Sequence, residues 1–170
     1  MCPNPETFWQ MDNRLFNFSN LSERIEKSKR GEEEFLNNYR DAFSITGGEP
    51  TLSPHLFDTI EKINSFFPRI KISFLTNGRM FSYVDYAKKF LSQYFNLELM
   101  VAIHGHNAEI HDRITQVQGS FDQTVAGLKN ILRFKKSTQL IEIRVVIHRL
   151  NYKFLNDIAK FIKDNFPQVN

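Results

Sequence analysis

Apolar residues recur along this chain in two alternating rhythms. Four short runs rich in β-branched and aromatic residues read as buried strands: Ala42 to Thr46, Ile70 to Leu75, Leu97 to Ile103 and Leu140 to Ile147. Most of them run into a turn signal. The stretches between them keep a helical period. Leu56, Ile60, Ile63 and Phe67 fall on one stripe, with Pro54 in the first turn, where proline is tolerated. Tyr83, Tyr86, Ala87, Phe90, Leu91 and Tyr94 form a second stripe. Phe121, Val125, Leu128, Ile131 and Leu132 form a third, with Ser120 as its N-cap. Phe154, Leu155, Ile158, Phe161 and Ile162 form a fourth. Ahead of the first strand, Leu21 to Tyr39 is charged and helix-prone, with a break expected near Gly31. Alternating strands and helices predict βα units, an α/β fold and a parallel sheet in which consecutive strands lie side by side. Such folds bind ligands at the C-terminal ends of their strands, so chemistry is sought just after each strand.

Composition narrows the function classes. A length of 170 residues fits one domain, and seventeen phenylalanines predict aromatic-rich packing between layers. A formal charge of +3, with no basic stripe, argues against nucleic acid as a partner. No apolar run approaches the ~20 residues of a membrane span. The start, Met1-Cys2-Pro3-Asn4-Pro5, lacks the charged and apolar regions of a signal peptide, and a cytoplasmic location is expected. The one cysteine, Cys2, can form no internal disulfide.

The first strand runs into Thr46-Gly47-Gly48-Glu49-Pro50-Thr51. Two glycines let the backbone approach a ligand, Glu49 offers a carboxylate suited to an ammonium group, and Pro50 stiffens the exit. The same residues also read as an ordinary strand-to-helix turn. The second strand ends in Thr76-Asn77-Gly78, a normal turn pair. The third ends in Ile103-His104-Gly105-His106, with His111 and Asp112 close behind. These could line a metal ion, or be polar rim residues with partners of their own. The fourth carries Arg144 inside an apolar run. A charge there is expensive unless paired, so Arg144 is expected to face inward and meet an anion from the protein or from a ligand.

Taken in order, these strand ends resemble the radical S-adenosylmethionine (SAM) superfamily. Ile45 to Leu52 is similar to its Gly-Gly-Glu-Pro motif, which follows the second barrel strand and holds the methionyl amino group of SAM. Leu75-Thr76-Asn77-Gly78 resembles the third-strand end. Val101 to Asn130, with Ile110-His111-Asp112 and Gly119-Ser120-Phe121, resembles the fourth strand and helix, and Arg144 to Leu155, with Asn151-Tyr152, the fifth. Where many members carry Ser and Asp at the fourth-strand end, this chain has Ala102 and His104. Cys2 falls where the third cysteine of the family's Cys-x3-Cys-x2-Cys cluster loop stands. The resemblance thus implies a partial (β/α)6 barrel of about four parallel strands spanning 1–170, with 1–40 the end of the cluster loop and the first helix, and 41–170 four βα units. The first strand and two cluster cysteines are expected upstream, and further barrel strands downstream.

The implied activity is that of an enzyme. A [4Fe–4S] cluster, with Cys2 as an iron ligand, reduces SAM to a 5′-deoxyadenosyl radical, which abstracts hydrogen from an unknown small-molecule or peptide substrate. An electron donor such as flavodoxin or ferredoxin is implied as well. The resemblance assigns SAM to Gly47, Gly48, Glu49, Pro50 and Asn77, its carboxylate to Arg144, and its ribose or adenine side to His104 and Asn151. With one cysteine, the chain is not expected to assemble a stable cluster alone. Its sheet edges are expected to leave it marginal and prone to self-associate. Two other readings remain: a metal-dependent hydrolase using His104, His106 and His111, and a degenerate barrel acting as a non-catalytic binding module.

Overall fold

Each of the four apolar runs forms a strand, and the strands lie in one parallel sheet in the order β1-β2-β3-β4. The computed structural model describes residues 18–31 and 42–169. The elements in chain order are α1 (Phe18–Lys29), β1 (Ala42–Ile45), α2 (Leu56–Phe66), β2 (Lys71–Thr76), α3 (Val84–Gln93), β3 (Leu97–Ala102), α4 (Ala108–Thr115), α5 (Ser120–Phe134), β4 (Leu140–Arg144) and α6 (Leu155–Asn165). Short 3-10 turns at Pro50–Leu52, Arg79–Ser82 and Tyr152–Phe154 follow β1, β2 and β4. The expected break near Gly31 is present: α1 ends at Lys29, and Gly31 has a φ of 73°. No helix among the described residues is long and apolar enough to cross a membrane.

The helices cover one face of the sheet. Successive strand side chains point to opposite faces. Ile72 and Phe74 of β2, Leu97, Leu99 and Val101 of β3 and Ile141 of β4 join a single core with Ile60 and Ile63 of α2, Phe90 and Leu91 of α3, and Leu128 and Ile131 of α5. Phe90 is the hinge of this packing, meeting Phe74 and Phe81 edge-on at 5.4 and 5.1 Å between ring centroids. Each such side chain, fully buried, contributes roughly 1.5–3 kcal/mol.

The other face is polar. Sheet register sets Ser44 beside Ser73, Ser73 beside Glu98, Met100 beside Glu142 and Ala102 beside Arg144. Ser73 donates to Glu98 at 2.6 Å, and Arg144 pairs with Glu142 at 2.7 Å. Among the described residues the sheet thus has one apolar face under the helices and one face that carries its polar side chains.

Three local differences have physical causes. β4 stops at Arg144 rather than Ile147: β3 ends at Ala102, the last backbone bond between the two is from the Ile103 N–H to the Arg144 carbonyl, and Val146 and Ile147 are exposed. α4 begins within the His106 to Asp112 stretch, which the sequence reads as rim residues. At eight residues it is too short to show a clear period, and its signal is Asn107, whose Oδ1 caps the N–H of Ile110 at 3.0 Å. Finally, α5 is not capped by Ser120. Asp112 reaches across from α4 and accepts from Gly119 N–H at 2.6 Å, Ser120 Oγ at 2.8 Å and Phe121 N–H at 2.8 Å.

Candidate functional site

Four parallel strands place their C-terminal ends on one rim, and the loops that follow them meet there. The loop after β1 carries Gly47 and Gly48, both exposed and both left-handed, with φ of 98° and 46°. A side chain at either would be strained, so the sequence keeps bare backbone there. Glu49 comes next and caps the Pro50–Leu52 turn, in which Pro50 is buried. Its Oε1 accepts from Thr51 N–H at 3.2 Å, Thr51 Oγ1 at 2.6 Å and Thr76 Oγ1 at 2.7 Å. Its Oε2 accepts from Asn77 N–H at 2.7 Å. Glu49 thus ties the β1 loop to the end of β2, and one oxygen keeps room for another donor. Behind it, burial and the Glu49 charge push the Tyr86 phenol well above its ordinary pKa.

The β2 end is held from outside by α5. Asn77 Oδ1 accepts from Arg79 N–H at 2.9 Å, and its carbonyl accepts from Thr124 Oγ1 at 2.9 Å. Gly78 has a φ of 75°, and a Cβ on it would fall 2.7 Å from Val101 Cγ1. A Cβ on Gly127 of α5 would fall 2.1 Å from the Gly78 carbonyl oxygen, so helix and turn meet backbone to backbone.

On β3, His104 shares the polar face with Glu98, Met100 and Ala102 by strand parity. Its Nδ1 is buried without a hydrogen-bond partner. Burial, with His148 nearby, holds its imidazole below the ordinary pKa. His111 is 2% exposed, 5.6 Å from His104 ring to ring, and burial first, then His104, push its pKa down to about 4. Both rings are thereby held toward the neutral form. Arg144 meets its anion, and that anion is Glu142 of the same strand. The side chains are 49% and 38% exposed, and such a pair is worth ~0–1 kcal/mol, so it leaves Arg144 available to a second anion.

This rim gathers several polar groups with capacity to spare. It has exposed bare backbone at two glycines, a carboxylate oxygen with a vacancy, a loosely held guanidinium and a buried imidazole nitrogen lacking a partner. Cys2 lies outside the described residues, and no iron ligand is assigned among the residues that are described. The sequence profile of the radical SAM superfamily matches residues 1–162. The chain belongs to the radical SAM superfamily.

The chain is also similar in fold to solved structures. One is anSMEcpe with bound AdoMet and the Cp18Cys peptide, with a TM-score of 0.64 and 21% identity. Another is Streptococcus suis SuiB bound to the precursor peptide SuiA, with a TM-score of 0.62 and 17% identity. The alignments cover 87% and 86% of this chain but 40% and 30% of those proteins, so the chain spans less than half of either. No curated protein matches it. The α/β fold expected of a partial radical SAM barrel is thereby shown.

Within this radical SAM chain the histidines do not form a metal centre. Among the described residues no group of three or more His, Cys, Asp or Glu side chains could hold an ion. Nδ1 of His111 accepts from the His104 N–H at 3.1 Å, Asp112 is spent on the start of α5, and His106 turns to Asn107 at 3.2 Å and to the Phe154 ring at 5.8 Å. Asn151 is 0% exposed and bonds only to backbone, including the His104 carbonyl at 3.0 Å. Sequence reasoning missed Thr51 and Thr76 as partners of Glu49. They sit 2 and 27 residues from it, and the longer link leaves no local signal.

Proposed function

We infer that this chain is the SAM-holding part of a radical SAM enzyme. The observation that carries this reading is Glu49, fixed by four donors from Thr51, Thr76 and Asn77 beside two exposed left-handed glycines. In this proposal Gly47 and Gly48 offer their backbone and Glu49 its free lone pair to the ammonium of SAM, with Pro50 and Asn77 keeping that loop in place. Arg144 takes the carboxylate. His104 faces the ribose or adenine side. Cys2 ligates iron. With a [4Fe–4S] cluster bound, one electron passed from the cluster to SAM would release methionine and supply the chemistry of hydrogen abstraction from the substrate. This chain's residues orient SAM and keep its amino-acid end fixed against the rim.

Peptide-bound anSMEcpe and SuiB support a peptide as the substrate class, and the polar sheet face around Glu98, Glu142 and Arg144 suits a polar chain. The electron donor is a flavodoxin or ferredoxin, in the cytoplasm. The test is anaerobic: reconstitute with iron and sulfide a form of the protein extended upstream through the two other cysteines of the cluster motif, add SAM and a strong reductant, and quantify 5′-deoxyadenosine and methionine. Equimolar formation of both is expected. SAM bound but uncleaved by a protein with a full cluster would instead support the binding-module reading.

A further inference from the structure

The β3–β4 ladder ends with the Ile103 N–H donating to the Arg144 carbonyl at 2.9 Å, yet the backbone beyond it is not left to water. Side chains take over. The His104 N–H donates to Nδ1 of His111 at 3.1 Å, and the His104 carbonyl accepts from Nδ2 of Asn151 at 3.0 Å. Asn151 also donates to the Val146 carbonyl at 3.0 Å and accepts the His148 N–H at 2.7 Å. His111 and Asn151 are 2% and 0% exposed. Gly105 lies so close to α4 that a Cβ on it would stand 2.6 Å from the His111 nitrogen. The peptide groups on both sides of His104 are therefore gripped by buried side chains.

Two chemical consequences follow from donor and acceptor rules. A backbone N–H can only donate, so Nδ1 of His111 carries no proton and its ring hydrogen sits on Nε2. Both amide hydrogens of Asn151 are committed to carbonyls, so Asn151 has none left for a ligand. Its remaining route to a bound molecule runs through the residue it grips.

The geometry points to Asn151 and His111 as positioning residues: together they lock the His104 peptide at the rim and so fix where its imidazole meets the ligand. This rests on the reading that the rim holds SAM, and it gives Asn151 a part other than ligand contact. A side chain must be held to a fraction of an ångström to act productively, and a gripped peptide does that where a free loop would not.

The test pairs two readouts on the full chain. SAM affinity is measured by calorimetry on protein extended upstream through the two other cluster cysteines and reconstituted, and the His104 imidazole is titrated by NMR without cofactor, with the His111 and His148 signals assigned alongside it. Asn151→Ala and His111→Ala are expected to weaken SAM about tenfold or more. They should also move the His104 titration up toward its ordinary value as water enters. His111→Asn puts an amide oxygen where Nδ1 stood, and should keep affinity within about threefold with the His104 titration unmoved. If Asn151→Ala fails to fold, Asn151→Asp carries the same test, since it keeps the shape and loses both donors. A lowered melting temperature with unchanged His104 titration and SAM affinity would overturn the inference, as would failure of His111→Asn to rescue. A shifted titration in a parent protein that binds no SAM would uphold the grip and overturn the SAM reading.

Discussion

Replacing Glu49 by Gln separates two things the carboxylate does. In the native rim it accepts four hydrogen bonds, three on Oε1 and one, at 2.7 Å from Asn77 N–H, on Oε2. An amide keeps one oxygen. In its better orientation that oxygen faces Thr51 and Thr76, and the new NH2 points at the Asn77 N–H, donor against donor. The loss of a charge-assisted bond and the orphaned backbone donor together cost about 2–4 kcal/mol. At ~2–4 °C per kcal/mol for a chain of this length, the melting temperature should fall by roughly 5–15 °C. The second effect is on SAM. A lost contact of ~1.5–3 kcal/mol to its ammonium weakens binding about tenfold or more, read by calorimetry well below the melting range. A melting temperature unchanged within ~1 °C would refute the link from Glu49 to β2. A lowered melting temperature with unchanged SAM affinity would leave Gly47 to Pro50 as a structural turn and nothing more.

Other perturbations check the surrounding frame. Gly127→Ala should destabilise by about 3 kcal/mol, seen in denaturant melts, since its Cβ would stand 2.1 Å from the Gly78 oxygen and neither backbone can yield cheaply. Burial raises the Asp112 pKa, but bonds from Phe121, Ser120 and Gly119 outweigh it and hold the carboxyl below its usual range. Asp112→Ala should cost roughly 2 kcal/mol by uncapping α5, and a change under ~0.5 kcal/mol would refute the cap. His111 ties stability to pH. Its pKa is 6.5 unfolded and about 4 folded. Between those values the unfolded chain binds the extra proton, so stability is complete above 6.5 and is lost as pH falls toward 4. The loss amounts to roughly 3 kcal/mol. Urea melts across that window should show the slope in the parent protein and a shallower one in His111→Asn.

How much of this was legible in the chain follows from how local each signal is. The strands were legible because β-branched runs are contiguous, and Gly47-Gly48-Glu49 because backbone approach requires adjacent glycines. The polar face of the sheet was not foreseen, although Glu98, Glu142 and Arg144 stand at alternate positions in their strands; hydrophobic neighbours on the helix side masked the alternation. α4 was missed because one short helix holds a single buried turn, Ile110, His111 and Ile114. The histidines misled for a related reason. His111 and Asp112 carry metal-ligating groups, but their partners are the backbone of His104 and of Gly119 to Phe121, which no residue type reveals.

A parallel ladder ends where neighbouring strands diverge, and every backbone group past that point needs a partner. Here polar side chains supply them: Glu49 for Asn77, Asp112 for Gly119 and Phe121, His111 and Asn151 for His104. A polar residue at a strand end is therefore first a candidate for that duty, and what it can offer a ligand is what the duty leaves over. Asn151 has no donor to spare. Glu49 keeps a lone pair, Arg144 keeps guanidinium hydrogens beyond those on Glu142, and His104 keeps an unpartnered Nδ1. A carboxylate acceptor, a cationic donor and a neutral imidazole are the complement of an ammonium, a carboxylate and a hydroxyl or ring nitrogen. SAM carries all three, and that remainder is why the proposed function places SAM at this rim.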